Sequence, residues 1–305
     1  MTKFVKAFSK MRQKGYLFYA LMVALPLLNY AIFYIGVNLK NVIMAFQKYS
    51  FVNGEKFVES AGWFWFKSIL KDTDLIGYVL KNSLLYSGTM LLIVMPITIF
   101  FAYYIFKKYR FSTFFKIMIF TPSIICSMVL VIFYKSFVQS VVQNVIMQAD
   151  KTNQILQDDN KARVVLLILY VIMGFSSNIL LFLNAMSQLS PSVLEAAKVD
   201  GASEMRTFIS IVFPSIWGTV VSMVVIILAS IGTDQANLNA MFGNSVDRPM
   251  HTIGYHIWVS MFVNGTESIT QYPYCSAFGL LVTVVLTPIT IAVRFLMNKF
   301  GPSDN

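Results

Sequence analysis

The sequence predicts an all-α membrane protein with six transmembrane helices. Of its 305 residues, 57% are hydrophobic and only 12% are charged, a composition typical of a polytopic membrane protein rather than a soluble domain. The apolar residues form long runs, and short basic clusters lie beside these runs, as the positive-inside rule predicts. We therefore attribute the net charge of +10 to membrane orientation and predict no nucleic-acid partner.

The first apolar run covers 16–37 and follows a basic segment that holds Lys3, Lys6, Lys10, Arg12 and Lys14. A charged start before an apolar run is also typical of a cleavable signal peptide. However, this run has about 22 residues, which is too long for a signal core, and no small-x-small cleavage site follows it. We predict a retained span whose amino end is in the cytoplasm.

Five further apolar runs predict spans at 78–106, 114–138, 162–184, 215–234 and 274–297. Pro96 predicts a kink in the second span, and Pro122 lies in the first half of the third. The turn between these two spans contains Lys107, Lys108, Arg110 and Lys116, which is the clearest cytoplasmic signal in the chain. An even number of spans then places both termini in the cytoplasm.

We divide the chain into three parts, which are an amino-terminal span with its external loop (1–77), a five-helix core (78–297) and a cytoplasmic tail (298–305). The loop 38–77 mixes lysines with acidic residues. Its aromatic patch, 63–66, predicts a helix lying on the outer leaflet, and an aromatic platform for substrate is the alternative. The polar segment 139–161 is predicted to be external, and so is the segment 235–271.

A polar segment at 189–214 separates the fourth and fifth spans and contains two helix starts. The first helix could start at Ser190-Pro191 or at Ser192, whose side chain could form a capping box with Glu195. Asp200-Gly201 predicts its end. Ser203 predicts the cap of a second helix that runs to Pro214, with Phe208 and Ile211 on one face.

This segment resembles the signature loop of the membrane subunits of binding-protein-dependent ABC importers. The family pattern is E-A-A, three residues, G, nine residues, then I-x-L-P. Glu195-Ala196-Ala197, Gly201, Ile211 and Pro214 stand at that spacing, and Asp200-Gly201-Ala202 matches a commoner extended form. Phe213 departs from the usual leucine but remains bulky and apolar. The alternative is an ordinary cytoplasmic linker with a chance capping box.

The resemblance implies a type I ABC importer permease fold in a bacterial cytoplasmic membrane, with 189–214 as a cytoplasmic coupling loop. It implies four kinds of partner: an ABC ATPase dimer, a second homologous permease, an extracytoplasmic solute-binding protein and membrane lipid. The residues implied to couple the chain to the ATPase are Glu195, Ala196, Ala197, Asp200, Gly201, Ala202, Ile211 and Pro214. Glu195 would contact the ATPase, the two alanines would allow close approach, and Gly201 would permit the turn.

No catalytic motif and no P-loop occurs in the chain, so ATP and Mg²⁺ are expected in the partner ATPase and no cofactor in this subunit. His251 and His256 are five residues apart, which is the wrong spacing for two metal ligands on one helical face. We therefore predict a transport subunit rather than an enzyme, without a metal site.

Polar residues within the predicted spans are candidates for a substrate path, because such groups are costly in hydrocarbon unless they face a bundle interior or water. The candidates are Ser177, Asn178 and Asn184 on the fourth span and Ser230, Thr233 and Asp234 at the fifth, with Ser176 and Ser222 nearby. The alternative is hydrogen bonding that only holds the helices together.

The form E-A-A-x-x-D-G-A and the residues 272–277 before the last span resemble the multiple-sugar branch of the importer family. A sugar or oligosaccharide is therefore the solute that the resemblance implies. A peptide, an amino acid or a polyol phosphate is the alternative for the same type of importer. A self-sufficient secondary transporter is a further alternative, but it does not explain the signature loop.

Overall fold

The computed structural model describes residues 16–52, 55–146, 155–244, 246–263 and 268–302. The basic residues before Tyr16 and the end of the predicted tail (303–305) lie outside these ranges. Four helices in the described residues are long and apolar enough to cross a membrane, and two bent helix pairs bring the number to six. The predicted all-α fold with six spans is thus confirmed.

The first span is a continuous helix made of α1 (Tyr16–Asn29), a π-helical stretch (Tyr30–Gly36) and α2 (Val37–Met44). It extends beyond the predicted end at residue 37. Its apolar side chains remain exposed along its length; Leu25, for example, is 75% exposed. A surface of this kind is stable only against lipid or another protein subunit.

The loop predicted after this span contains an antiparallel hairpin, β1 (Gln47–Val52) and β2 (Glu55–Ser60), in which Gln47 pairs with Ser60. The aromatic patch begins a helix, α3 (Phe64–Lys71), as predicted. The Trp65 indole N–H donates to the Gln47 carbonyl at 2.8 Å. This tryptophan therefore fixes α3 to the hairpin.

The second span is a 34-residue helix, Thr73–Phe106. It consists of α4 (Thr73–Thr89), a π-helical turn (Met90–Val94) and α5 (Met95–Phe106). Asp72 caps it by accepting a hydrogen bond from the Leu75 N–H at 3.1 Å. The proline predicted to kink this span, Pro96, is in the first turn of α5, where the helix passes from π to α geometry.

The third span is not the single helix predicted for 114–138. It is divided into α6 (Ser112–Ile124) and α7 (Ser127–Phe137), and these helices meet at an angle of 103°. Pro122 in the last turn of α6 has no N–H to donate, and Ile125 and Cys126 then adopt extended backbone conformations. A further π-helical stretch, Val138–Ile146, follows α7.

The fourth span, α8 (Asp159–Ser187), begins at Asp158, whose side chain accepts hydrogen bonds from the N–H groups of Asn160 and Lys161. The coupling loop contains α9 (Pro191–Val199), α10 (Glu204–Thr207), a π-helical turn (Phe208–Val212) and α11 (Phe213–Ser215). The fifth span is α12 (Trp217–Ser230), bent by 64° from the helix Glu204–Ser215. The last span is α15 (Ser268–Phe300).

The segment between α12 and α15, predicted as an external loop, is largely packed against the spans. It contains α13 (Leu238–Phe242), a 3-10 turn (Arg248–Met250) and α14 (Ile253–Phe262). Residues 250–255 are buried, and Tyr255 is fully enclosed. Their packing partners come from α4, α7 and α8, which are far away in sequence. The segment predicted to be an external loop thus includes a short buried stretch.

Candidate functional site

Helix α9 begins at Ser190, with Pro191 in its first turn. The hydroxyls of Ser190 and Ser192 lie 2.7 Å apart and bond each other. The structure therefore selects the first of the two predicted starts. Pro191 suits this position because the first N–H groups of a helix have no partner within the helix.

The end of α9 has the geometry of a Schellman motif. Gly201 has a positive φ of +74°, a conformation that costs a residue with a Cβ about 1–2 kcal/mol. The Ala202 N–H bonds the Ala197 carbonyl at 3.0 Å, and the Gly201 N–H bonds the Lys198 carbonyl at 3.2 Å. The predicted turn at Gly201 is thus the feature that closes the helix.

The predicted coupling residues divide between a surface and an interior. Glu195, Ala196 and Asp200 are exposed, whereas Ala197 is 7% exposed and packs inward. A groove of about 460 Å³ separates α9 from the next helix, and its lining includes Ala196, Asp200, Ala202, Arg206 and Ile211. Ala197 also lines this groove, so the close approach predicted at the two alanines stays a prediction.

The second helix of the coupling loop begins at its predicted cap, where the Ser203 hydroxyl accepts a hydrogen bond from the Arg206 N–H at 3.3 Å. Phe208 is buried, whereas Ile211 and Pro214 are half-buried. The Phe213 ring lies 5.6 Å from the Trp217 ring and 6.2 Å from the Phe208 ring. The aromatic residue that replaces the usual leucine thus belongs to an aromatic cluster.

The coupling loop is also tied to the end of the second span, a contact that the sequence reasoning did not foresee. The Glu204 carboxylate lies 2.9 Å from the Lys107 ammonium and accepts a hydrogen bond from the Tyr103 hydroxyl at 2.8 Å. The Phe208 ring lies 4.9 Å from Tyr103 and 5.3 Å from Phe100. The signal that could have indicated the ion pair is an acidic residue in the first turn of a loop helix, combined with a basic turn predicted on the same side of the membrane.

Most hydroxyls proposed for a substrate path bond the backbone of their own helix. Ser177 donates to the Met173 carbonyl at 2.8 Å, and Ser230 donates to the Ile227 carbonyl at 2.9 Å. Asn178 is half-buried beside Met90, and Asn184 is exposed. Thr233 donates to the Ser230 carbonyl at 3.3 Å. It also lines a groove of about 390 Å³ together with Ala229 of α12, Gly232 of the following turn, and Thr283, Thr287 and Thr290 of α15.

Asp234 is held by its own chain rather than left open to a path. The Tyr170 hydroxyl donates to one carboxylate oxygen at 2.5 Å, and the Ala236 N–H donates to the other at 2.8 Å. The Thr252 hydroxyl donates to the Asp234 carbonyl at 2.9 Å. This residue therefore joins α8, the turn after α12 and the buried stretch before α14.

We expect Asp234→Ala to destabilise the subunit by about 1–3 kcal/mol, because it leaves the buried Tyr170 hydroxyl and the Ala236 N–H without an acceptor. Thermal denaturation of the purified protein in detergent measures this loss. Ser177→Ala is the matched control, since that hydroxyl is exposed and bonds only its own helix. Unchanged stability of Asp234→Ala together with lost solute affinity would instead assign Asp234 to the substrate path.

The two histidines are brought together although their spacing argued against a helical pair. His251 precedes α14, and its Nδ1 lies 3.4 Å from Nδ1 of His256. Nε2 of His256 lies 3.0 Å from the Tyr274 hydroxyl, and burial lowers the pKa of His256 to about 4. No group of three His, Cys, Asp or Glu side chains that could hold a metal occurs among the residues that the structure describes.

Two solved structures share this fold. A bacterial ABC transporter involved in import of the acidic polysaccharide alginate superposes with a TM-score of 0.74 over 97% of this chain and 99% of its own, at 19% identity. A bacterial alginate ABC transporter in complex with an alginate pentasaccharide-bound periplasmic protein gives 0.75 over 95% and 96%, again at 19% identity. These similarities support the type I importer permease fold.

Two curated relatives are similar in sequence. The multiple sugar-binding transport system permease protein MsmF of Streptococcus mutans is 26% identical over 128 residues, which are 42% of this chain and 42% of that relative. This match thus spans less than half of the relative's length. Protein LplB of Bacillus subtilis is 25% identical over 293 residues, covering 92% of this chain and 88% of that protein.

Residues 94–303 match the family described as binding-protein-dependent transport system inner membrane component. This range begins at the last residue of the π-helical turn in the second span and includes the whole coupling loop. The helix–Gly201–helix geometry of that loop and the six spans agree with the match. The chain therefore belongs to this family of membrane permease components of importers, and it is a transport subunit rather than a catalytic one.

Proposed function

We propose that this chain is the membrane-spanning subunit of an ATP-driven importer for a sugar or oligosaccharide. It would operate with an ABC ATPase dimer, a second homologous permease and an extracytoplasmic solute-binding protein. ATP-driven closure of the ATPase dimer would move the coupling loop, and the spans would then alternate between outward and inward access. No covalent chemistry is required of the chain itself.

The observation that carries this proposal is the surface of α9. This helix is closed at its end by hydrogen bonds of its own loop, yet Glu195 and Ala196 on its surface are exposed. Val199 is 86% exposed, although it is apolar. An apolar side chain beside a carboxylate on a short projecting helix is suited to the cleft of a partner protein.

The orientation follows from the contact between the coupling loop and the second span. Lys107 lies in the predicted cytoplasmic basic turn and pairs with Glu204 at 2.9 Å, so this turn and the coupling loop lie at the same end of the bundle. The positive-inside rule then supports a cytoplasmic position for both. With six spans, both termini would be cytoplasmic as well.

A carbohydrate is the solute that the comparisons support. The name of MsmF specifies multiple sugars, and both structural relatives are named for alginate import. One groove in this chain has a mostly apolar lining that includes four threonines, whose hydroxyls are chemically compatible with a hydroxyl-rich solute. Uptake competition among labelled sugars, peptides and amino acids by the reconstituted importer tests the class of solute directly.

Tagged chain purified from its native membrane is expected to carry a P-loop ATPase and a second permease, which mass spectrometry would identify.

Glu195→Lys should remove most of the ATPase, because it places the opposite charge on the exposed surface of α9. The expected loss is about tenfold or more in recovered ATPase, corresponding to at least about 1.4 kcal/mol.

Glu59→Lys is the matched control, because Glu59 is also exposed but lies on the β1–β2 hairpin. It should leave recovery of the ATPase unchanged. Recovery of the chain alone, active in liposomes without ATP, would overturn the importer proposal and favour a secondary transporter.

A further inference from the structure

We propose that the continuous helix Thr73–Phe106 transmits movement of the coupling loop to the 249–254 segment before α14, with Glu204 and Asn82 as its two positioning residues. This inference rests on the proposed ATP-driven function and specifies how the movement passes through this subunit. It is carried by two sets of contacts on one uninterrupted helix, at its carboxyl end and at Asn82 in its amino-terminal third.

At one end, the coupling loop is attached to the helix by both polar and aromatic contacts. Glu204 accepts a hydrogen bond from Tyr103 and forms an ion pair with Lys107. Phe208, in the turn after Glu204, packs against Phe100 and Tyr103. A displacement of the coupling loop would therefore displace the end of α5 as well, because this end is held both by the polar contacts of Glu204 and by the aromatic contacts of Phe208.

At the other end, α4 holds the backbone of the 249–254 segment. The Asn82 amide donates to the carbonyls of Pro249 at 2.7 Å and His251 at 3.0 Å. The Ser83 hydroxyl accepts a hydrogen bond from the Ile253 N–H at 2.9 Å. Both side chains are buried, and buried backbone groups that lose their partners are costly, so the segment should follow α4 when α4 moves.

The helix between these contacts is supported along its length. Ser83 and Lys107 are about 36 Å apart along a helix that rises about 1.5 Å per residue. Near the middle, a Cβ on Gly174 of α8 would lie 2.6 Å from the Met90 side chain, so α8 approaches the π-helical turn closely. Further along, Ala102 of α5 and Phe182 of α8 are fully buried in one apolar cluster. Close packing of this kind transmits displacement rather than absorbing it.

The Glu204–Lys107 pair itself contributes little to static stability. Its side chains are 58% and 21% exposed, and exposed ion pairs are generally weak. Its position between the coupling loop and the second span, rather than its energy, gives it a role in transport. Stability and coupling are therefore separate readouts for variants at this pair.

The test uses the complete importer reconstituted in liposomes and measures solute imported per ATP hydrolysed. Glu204→Lys and Lys107→Glu should each lower this ratio by about tenfold, in the range of typical coupling between sites. The charge-swapped double variant should recover most of the ratio. Lys108→Glu is the matched control, since Lys108 is the adjacent basic residue, and it should leave the ratio unchanged.

The second part of the test examines the contact between Asn82 and the 249–254 segment. Asn82→Ala should also lower the ratio of solute imported to ATP hydrolysed. Combining it with Glu204→Lys should lower the ratio little further, because both variants break contacts that transmit movement through the same helix. Ser83→Ala serves as the second variant if thermal denaturation shows that Asn82→Ala does not fold. Effects of the two ends that multiply independently would overturn the proposal.

The outcomes separate this inference from the proposed function. Absence of ATP-driven uptake by the unmodified complex would contradict the proposed function. If the unmodified complex transports normally, two results would overturn only the transmission through helix Thr73–Phe106. One is a Glu204→Lys variant as active as the Lys108→Glu control, and the other is a charge-swapped double variant that recovers no coupling.

Discussion

Gly201→Val is expected to reduce ATP-driven uptake about tenfold while the subunit remains in the membrane. A valine at this position would add backbone strain of about 1–2 kcal/mol, which disfavours the turn that closes α9 in the coupling loop. An added Cβ at Gly201 would meet no atom within 4 Å, so a steric clash is not the cause. The cause is φ, which is +74° and especially unfavourable for a β-branched residue. Membrane abundance and uptake into liposomes are the two measurements.

Gly62→Val is the matched control for this change. Gly62 also has a positive φ, +50°, and open space around its Cα, but it lies between the hairpin and α3. The same kind of strain away from the coupling loop should leave ATP-driven uptake unchanged. Equal losses in both variants, or normal uptake with Gly201→Val, would contradict the role assigned to the turn.

Gly254→Ala is expected to destabilise the folded subunit by about 3 kcal/mol, because one methyl group is forced into a closely packed backbone contact. A Cβ at Gly254 would lie 2.5 Å from the Thr233 carbonyl oxygen and 2.8 Å from that of Asp234. These are backbone atoms, so no side-chain rotation can relieve the overlap. Helix α14 would have to move away from the turn that follows α12.

Thermal denaturation in detergent measures this loss, and uptake should fall with it. Gly279→Ala is the control, since Gly279 is also helical but an added Cβ there would have nothing within 4 Å. It should be as stable as the unmodified protein. A Gly254→Ala variant with an unchanged melting temperature would show that this contact is not formed in the folded subunit.

The parts of the fold that sequence reasoning predicted are those governed by local rules. A run of apolar residues must satisfy its backbone internally in lipid, so the approximate positions of the spans follow from hydropathy alone. The loop at 189–214 was predictable for a similar reason. Gly201 and Ser203 act on neighbouring backbone groups, and Ser190 precedes the proline of the first turn of α9; the structure places each at the predicted helix boundary.

The features that sequence reasoning missed depend on contacts between distant residues. The buried stretch 250–255 has mixed local composition, and its burial follows from partners such as Asn82 that stand about 170 positions away. The break at Ile125 was missed because a proline in an apolar run is compatible with a kink as well as with a complete break. Glu204 and Lys107 are likewise paired only by the fold.

The roles of the predicted substrate-path residues remain proposals. Hydropathy identified Ser177, Ser230 and Asp234 as polar groups among apolar neighbours. Their hydrogen bonds within the chain satisfy them without a solute. The groove beside Thr233 also includes threonines of the last span, Thr283, Thr287 and Thr290, which are not among the predicted residues. Thr283 and Thr290 likewise bond carbonyls of their own helix.

Helix α9 has consequences for the assembly of the complex. With only nine residues, it is shorter than peptides that form helices alone in water, yet Pro191 starts it and the hydrogen bonds at Gly201 and Ala202 close it. Its conformational entropy is therefore lost when the subunit folds, before any partner arrives. Docking of the ATPase would then resemble association of two preorganised bodies, with little additional ordering cost and an association rate that does not depend on refolding of the loop.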